Sequence, residues 1–79
     1  LQKLIPQQVW LNVLEVNDTK VRILGTAVKD DLVSDFMQNL NSSIFFQNTM
    51  LLNTQEELTK DKLSVKKFEV ISELVVGQQ

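Results

Sequence analysis

The hydrophobic periodicity of this chain changes twice along its length. Residues 9–28 and 49–75 carry alternating apolar and polar positions or runs of β-branched side chains, which is typical of strands. Residues 30–41 instead repeat apolar side chains every three or four positions, which is typical of an amphipathic helix. Because 79 residues leave room for only one core, the pattern predicts an α+β domain with one helix packed on one sheet.

The first two predicted strands, residues 9–16 and 20–28, form a hairpin. Asn17-Asp18 lies between them and is a turn signal. In the second strand, one face is more apolar than the other and is expected to be buried. That face carries Val21, Ile23, Gly25 and Ala27.

The register of the first strand depends on the length of this turn. A three-residue turn points Val9, Leu11 and Val13 into the core, whereas a two-residue turn points Trp10 and Leu14 inward. We favour the first register, in which a bulge would also allow Leu14 to face inward.

The helical pattern predicts an amphipathic helix over residues 30–41, with Phe36 and Leu40 buried. Asp30 or Asp31 is expected to accept hydrogen bonds from the first free backbone amides, and both suit the positive end of the helix dipole. The cluster Ile44-Phe45-Phe46 then predicts a hydrophobic anchor that closes the helix onto the sheet.

Two more strands are predicted after the helix, at residues 49–54 and 63–75, connected through residues 58–62. The last strand alternates an apolar face with a charged one, as expected when one face is buried. Its inward positions are Phe68, Val70, Ser72 and Leu74. At the other end of the chain, residues 1–5 are expected to be the last turn of a truncated helix, because Pro6 would end it.

The element order (α)ββαββ predicts a circularly permuted ferredoxin-like fold, with an antiparallel four-stranded sheet in the order 1-2-4-3 and a crossover helix. Residues 1–79 are expected to form this single domain. A truncated first helix would leave part of the sheet uncovered, and such a surface suits a protein partner.

Composition excludes several functional classes. The chain contains no cysteine and no histidine, so it has no disulfide, no thiol or imidazole catalysis and no zinc site built from these ligands. A formal net charge of −2 argues against a nucleic-acid surface. The uncharged stretch from residue 36 to 55 is rich in amide side chains and is not a membrane span.

Two polar features are candidate sites, an acidic trio and a single arginine. Asp30, Asp31 and Asp35 could bind a divalent cation, but an acidic helix start explains them better. Arg22 is the only arginine. Ferredoxin-like acylphosphatases hold phosphate with an arginine, but Arg22 is expected in the middle of a strand, paired with Glu69 or Glu73. No catalytic residue, cofactor or metal is therefore expected.

The third strand is predicted at an edge of the sheet and contains three consecutive apolar residues with no charge or proline among them. Edges of this kind recruit another strand or are covered. Trp10 is a further candidate anchor, since tryptophan is enriched at interface hot spots. The candidate interface residues are Met50, Leu51, Leu52, Trp10, Leu24 and Ile71.

Several short features follow one another in a fixed order and spacing along roughly residues 5–75. They are Ile5-Pro6, Val9-Trp10-Leu11, Gly25-Thr26-Ala27, Val33, Phe36, Leu40, Ser43, Phe46 and Phe68. In this order and spacing the chain resembles the periplasmic domain of PilN-type fimbrial assembly proteins of type IV pilus systems. One departure is Ile44, where similar proteins often have a proline after the serine.

The resemblance implies a noncatalytic scaffold module of the inner-membrane alignment complex, located in the periplasm of a bacterium. It implies dimerisation with itself or with a PilO-like partner, and a link to motor-side and secretin-side proteins. Membrane attachment would come only from a transmembrane helix outside this sequence. The alternatives are a type II secretion domain of the GspL or GspM kind and, less favoured, a ferredoxin-like domain that binds a small regulatory ligand.

Overall fold

The computed structural model describes residues 8–76. The four strands form one antiparallel sheet in the order β1-β2-β4-β3, and the helix packs on one face, here called the inner face. The predicted α+β class and strand order are confirmed, whereas the helix predicted at residues 1–5 lies outside the described residues. The elements are β1 (Val9–Asn17), β2 (Lys20–Ala27), α1 (Asp30–Ser42), β3 (Phe46–Leu58) and β4 (Ser64–Leu74).

The register of β1 changes in the middle of the strand. Val9 and Leu11 lie on the inner face, as predicted. Asn12 is then an extra residue that β2 does not match, so that the faces of the following residues are exchanged. The prediction that Val13 faces inward is therefore wrong, whereas the bulge brings Leu14 to the inner face, as the favoured register allowed.

The turn between β1 and β2 lies one residue later than predicted. Asn17 pairs with Lys20, which leaves Asp18 and Thr19 as a two-residue turn. Asp18 has a left-handed backbone with φ of 62°, a conformation that aspartate tolerates better than most residues. Asn17 therefore remains in the strand ladder.

The core is formed by the two central strands and the helix. On β2 and β4, the predicted inward faces are confirmed, and α1 buries the side predicted from its periodicity. Edge strands contribute little to this core, which is why most of β3 is exposed on both faces. The buried apolar residues are Val9, Val21, Ile23, Ala27, Val33, Phe36, Leu40, Phe68 and Val70.

Gly25 makes room for an aromatic contact at the centre of this core. A Cβ atom at Gly25 would lie 2.4 Å from Phe68 Cζ and 2.9 Å from the carbonyl oxygen of Trp10. The Phe68 ring therefore occupies space that any other residue would fill, and it packs against Phe36 with ring centroids 5.8 Å apart. The group that Gly25 admits is therefore an aromatic ring from the neighbouring strand β4.

The start of α1 differs from the expected capping arrangement. Lys29 is the N-cap residue, and no side chain caps the helix, so the prediction that Asp30 or Asp31 provides the cap is wrong. Both aspartates lie in the first turn, where their charge suits the helix dipole. Lys66 Nζ lies 3.8 Å from Asp30 Oδ1 and links the helix start to β4.

The hydrophobic anchor predicted after the helix is largely absent. Ile44 is 81% exposed and Phe45 is 63% exposed, and only Phe46 packs against the core as the first residue of β3. The segment is held by its backbone instead, because Phe45 N donates to Ser43 Oγ at 3.1 Å and Val75 N donates to Phe45 O at 3.0 Å.

β3 is longer than the predicted strand at residues 49–54 and contains two register irregularities along β4. Near the first of these, Thr49 Oγ1 and Ser72 Oγ share a hydrogen bond at 2.8 Å, and Ser72 Oγ also donates to Gln47 O at 3.1 Å. Ser72 is only 2% exposed, and these two partners satisfy its buried hydroxyl group. Leu58, predicted in the connecting loop, is the last residue of β3.

We predict that Gly25→Ala destabilises the protein by about 1–3 kcal/mol, because its Cβ would overlap the Phe68 ring and a backbone oxygen. At a strand position without such crowding, the same change would stabilise by about 0.4–1 kcal/mol through the unfolded chain. Urea melts of the two proteins measure the sign. Combining Gly25→Ala with Phe68→Leu should cost less than the sum of the single changes, and strict additivity would contradict the proposed clash.

We predict that Phe36→Ala costs about 3–5 kcal/mol, since it leaves a cavity against Phe68. That loss is a large fraction of the free energy of unfolding expected for a chain of this size, roughly 4–12 kcal/mol. The variant should therefore be largely unfolded, and its urea melt should show no cooperative transition at room temperature. Asp35→Ala, on the exposed side of the same helix turn, is the matched control and should change the urea midpoint little. A cooperatively folded Phe36→Ala variant of near-normal stability would contradict this assignment.

Candidate interaction surface

An apolar stripe crosses the outer face of the sheet, the face opposite the helix. Val13 on β1 lies opposite Leu24 on β2, and Ile71 on β4 lies opposite Met50 on β3. Leu24 and Ile71 are diagonal neighbours, since Leu24 pairs with Glu69, two residues before Ile71. These four residues, here called the outer stripe, therefore reach all four strands.

Trp10 lies on the same outer face, opposite Thr26, and is 53% exposed. It precedes the bulge at Asn12, so it stands apart from the outer stripe toward the start of β1. Asn12 Oδ1 accepts a hydrogen bond from Thr26 Oγ1 at 2.8 Å and contributes a polar group between Trp10 and Val13.

The six candidate interface residues do not share one surface. Trp10, Leu24, Ile71 and Met50 lie on the outer face, whereas Leu51 lies opposite Val70 on the inner face. Leu52 falls within the second irregularity of β3, between Leu51 and Asn53. All three of the consecutive β3 residues are exposed: Met50 56%, Leu51 43% and Leu52 50%.

Three apolar residues of β1 were not among those candidates. Val13 completes the outer stripe, and Leu14 and Val16 lie on the inner face yet are 61% and 56% exposed. They are uncovered because α1 packs over β2, β3 and β4. The signal that would have found them is the bulge at Asn12, which side-chain alternation alone does not reveal.

Ion pairs flank the outer stripe. Arg22 Nε lies 2.7 Å from Glu69 Oε2, and Arg22 Nη1 lies 2.8 Å from Glu15 Oε1. The Glu69 partner is one of the two predicted for Arg22, while Glu73 pairs with Lys20 instead. The hydrogen bond that Arg22 donates to Glu69, followed by the one that it donates to Glu15, raises the pKa of Arg22 above its ordinary value.

Glu73 joins two strands at the end of the sheet near the β1–β2 turn. Lys20 Nζ donates to one of its oxygens, and Asn48 Nδ2 donates to the other at 2.8 Å. These two hydrogen bonds, that from Lys20 being the stronger influence, lower the pKa of Glu73, so the carboxylate is ionised at neutral pH.

A shallow groove of about 470 Å³ lies beside these ion pairs and is walled by Ile71 and Met50. Its charged groups form two ion pairs, Arg22 with Glu15 and Lys20 with Glu73. Such a lining presents apolar area with balanced charge, which suits a protein surface better than a small ionic ligand.

Within residues 8–76, no group of three or more acidic side chains is arranged to hold a metal ion. Over the same range, no helix has the length and apolar character needed to cross a membrane. Asp30, Asp31 and Asp35 all belong to α1 and are exposed.

Comparison with protein-family models gives a match over most of the chain. The family model of the fimbrial assembly protein PilN matches residues 1–74 of the chain. Searches of the curated proteins and of the solved structures gave no match. Since the matched region spans nearly the whole sequence, the chain belongs to the PilN family of fimbrial assembly proteins.

Proposed function

We propose that this chain is a noncatalytic scaffold module that supports pilus assembly by binding other proteins through its sheet. The observation that carries the proposal is the outer stripe, in which apolar side chains on all four strands are framed by paired charges. Val13 and Met50 on the edge strands are exposed, and Leu24 and Ile71 on the central strands are half-buried. Contiguous exposed apolar surface with a polar rim is typical of protein interfaces.

The partner is a PilO-like protein of the same assembly complex or a second copy of this chain. Membership of the PilN family supports a place in the inner-membrane complex, with this module in the periplasm and indirect links to motor-side and secretin-side proteins. Residues 1–79 act as one interaction unit in this arrangement. The lack of cysteine and histidine excludes thiol nucleophiles and imidazole acid–base catalysis, which favours a binding role.

The proposed contact with the PilO-like partner includes the outer face and the β3 edge: Met50, Leu52, Leu24, Ile71 and Trp10, with Leu51 on the inner side of that edge. Met50 is the most informative of these residues, because it is 56% exposed and lies directly opposite Ile71. A charge at this position disrupts the outer stripe without entering the core.

We predict that Met50→Lys or Leu52→Lys weakens binding to the periplasmic domain of the PilO-like partner at least tenfold, since a buried unpaired ammonium group opposes association. Calorimetric titration of the two purified domains measures the affinity. Leu63→Lys is the matched control, because Leu63 is 62% exposed in the β3–β4 turn, away from the outer stripe.

Urea melts of each variant should remain close to the wild type, because all three side chains are exposed. Full affinity in Met50→Lys and Leu52→Lys would exclude the proposed contact. Absence of binding by the wild-type domain, both to the partner and to itself at high concentration, would overturn the proposed function.

A further inference from the structure

β1 is a free sheet edge with exposed apolar side chains on both faces. Among the described strands it pairs only with β2. Trp10 and Val13 are 53% and 37% exposed on the outer face, while Leu14 and Val16 are 61% and 56% exposed on the inner face. An edge with open hydrogen-bonding groups and apolar side chains on each side is suited to pairing with another strand.

β3, the other edge, is less suited to pairing with a second copy of itself. It has two irregularities, and Asn48 near the first has a left-handed backbone with φ of 56°. Bulges of this kind bend an edge away from a partner strand. Its uninterrupted segment, residues 53–58, contains Glu56 and Glu57, so self-pairing there would bring four carboxylates together.

We propose that β1 pairs antiparallel with β1 of a second copy of this chain, so that Leu14 lies opposite its own counterpart across a two-fold axis. This inference rests on the proposed scaffold function and specifies the surface for self-association. The two sheets would then join into one eight-stranded sheet. Because α1 packs over β2, β3 and β4, the two helices would lie away from the joint.

The faces of the two strands match in this register. Opposed residues of an antiparallel pair share a face, so Val13 faces the Glu15 position of the second copy on the outer side. With each Asn12 left out of the ladder as a bulge, Leu11 faces Val16 on the inner side. The inner face of the joint then gathers the Leu11, Leu14 and Val16 side chains of both copies.

Charge placement favours the same register. Glu15 is the only charged residue of β1, and Arg22 lies 2.8 Å from it within its own chain. An axis at Leu14 places Glu15 opposite Val13, whereas an axis at Glu15 would place the two carboxylates directly opposite each other, which is destabilising. Because Glu15 is the only charged residue of β1 and is paired with Arg22 of its own chain, little charge repulsion is left between the two strands.

The backbone geometry is compatible with this axis. In a hairpin closed by the pair of Asn17 and Lys20, we expect alternation along the ladder to point the N–H and C=O groups of Leu14 and Val16 toward the open edge. Leu14 and its counterpart would then form a hydrogen-bonded pair with Cα atoms about 5.5 Å apart. That spacing lies within the range of a disulfide bond.

The joint is small. A single pair of nine-residue strands buries less than the roughly 800 Å² per partner of a typical stable interface. We therefore expect a dimer with a dissociation constant on the order of micromolar or weaker, which requires a test that also detects short-lived pairing.

The test uses single cysteines in this naturally cysteine-free chain. Leu14→Cys and the matched control Leu51→Cys both replace an exposed inner-face leucine on an edge strand, 61% and 43% exposed respectively. Under mild oxidation at micromolar to millimolar protein, we expect Leu14→Cys to form a disulfide dimer at least tenfold faster than Leu51→Cys. Dilution below the dissociation constant should abolish this advantage.

A second variant tests the same edge without disulfide crosslinking. Leu14→Lys should weaken self-association at least tenfold in sedimentation equilibrium, while Leu51→Lys should not, and urea melts confirm that both are folded. Equal or faster crosslinking of Leu51→Cys would overturn the β1 assignment and leave the proposed function standing. A wild-type chain that stays monomeric and still binds a PilO-like partner would overturn only this inference, whereas failure of both kinds of binding would overturn both proposals.

Discussion

The contact between Phe68 and Phe36 holds the helix on the sheet, and it depends on the missing side chain of Gly25. With no Cβ at that position, the Phe68 ring lies over β2 and reaches the helix at a centroid distance of 5.8 Å. The remaining buried apolar residues lie on β2, β4 and one side of α1, with Val9 at the start of β1, and belong to the same cluster as this contact. α1 therefore packs over β2, β4 and the neighbouring edge strand β3, and most of β1 stays exposed.

The central part of the fold could be predicted from the sequence because each of its elements has a single consistent periodicity. Strands β2 and β4 alternate strictly and α1 repeats with a helical period, so their buried faces and the strand order were identified correctly. The register of β1 could not be settled, since a bulge at Asn12 changes the facing of every later residue without a distinctive residue to mark it. Ile44 and Phe45 were predicted to be buried because they are apolar, but both are exposed, so apolar character alone did not predict burial.

The candidate surface was predictable only in part. Met50 and Ile71 were recognised as candidates, and they lie directly opposite each other. The bulge in β1 decides which face Val13, Leu14 and Val16 occupy, and these three residues were missed for that reason. On β3, strand alternation places Met50 and Leu51 on opposite faces, and the irregular register of this edge strand hid that separation. The two partners considered for Arg22, Glu69 and Glu73, are both diagonal to it in the β2–β4 register, so the register alone does not choose between them. Glu73 lies directly opposite Lys20 and pairs with it, and Arg22 pairs with Glu69.

The hydrogen bonds around the buried hydroxyl of Ser72 couple local unfolding of β3 to local unfolding of the last turn of α1. Its oxygen is hydrogen-bonded to Thr49 and Gln47, and the amide of Thr49 donates to Asn41 Oδ1 at the end of α1 at 3.3 Å. Peeling this part of β3 from β4 would leave a buried polar group without partners and would also release the last turn of the helix. Amide hydrogens near Thr49 should therefore exchange with solvent together with those of the helix end, whereas those toward Leu58 exchange independently.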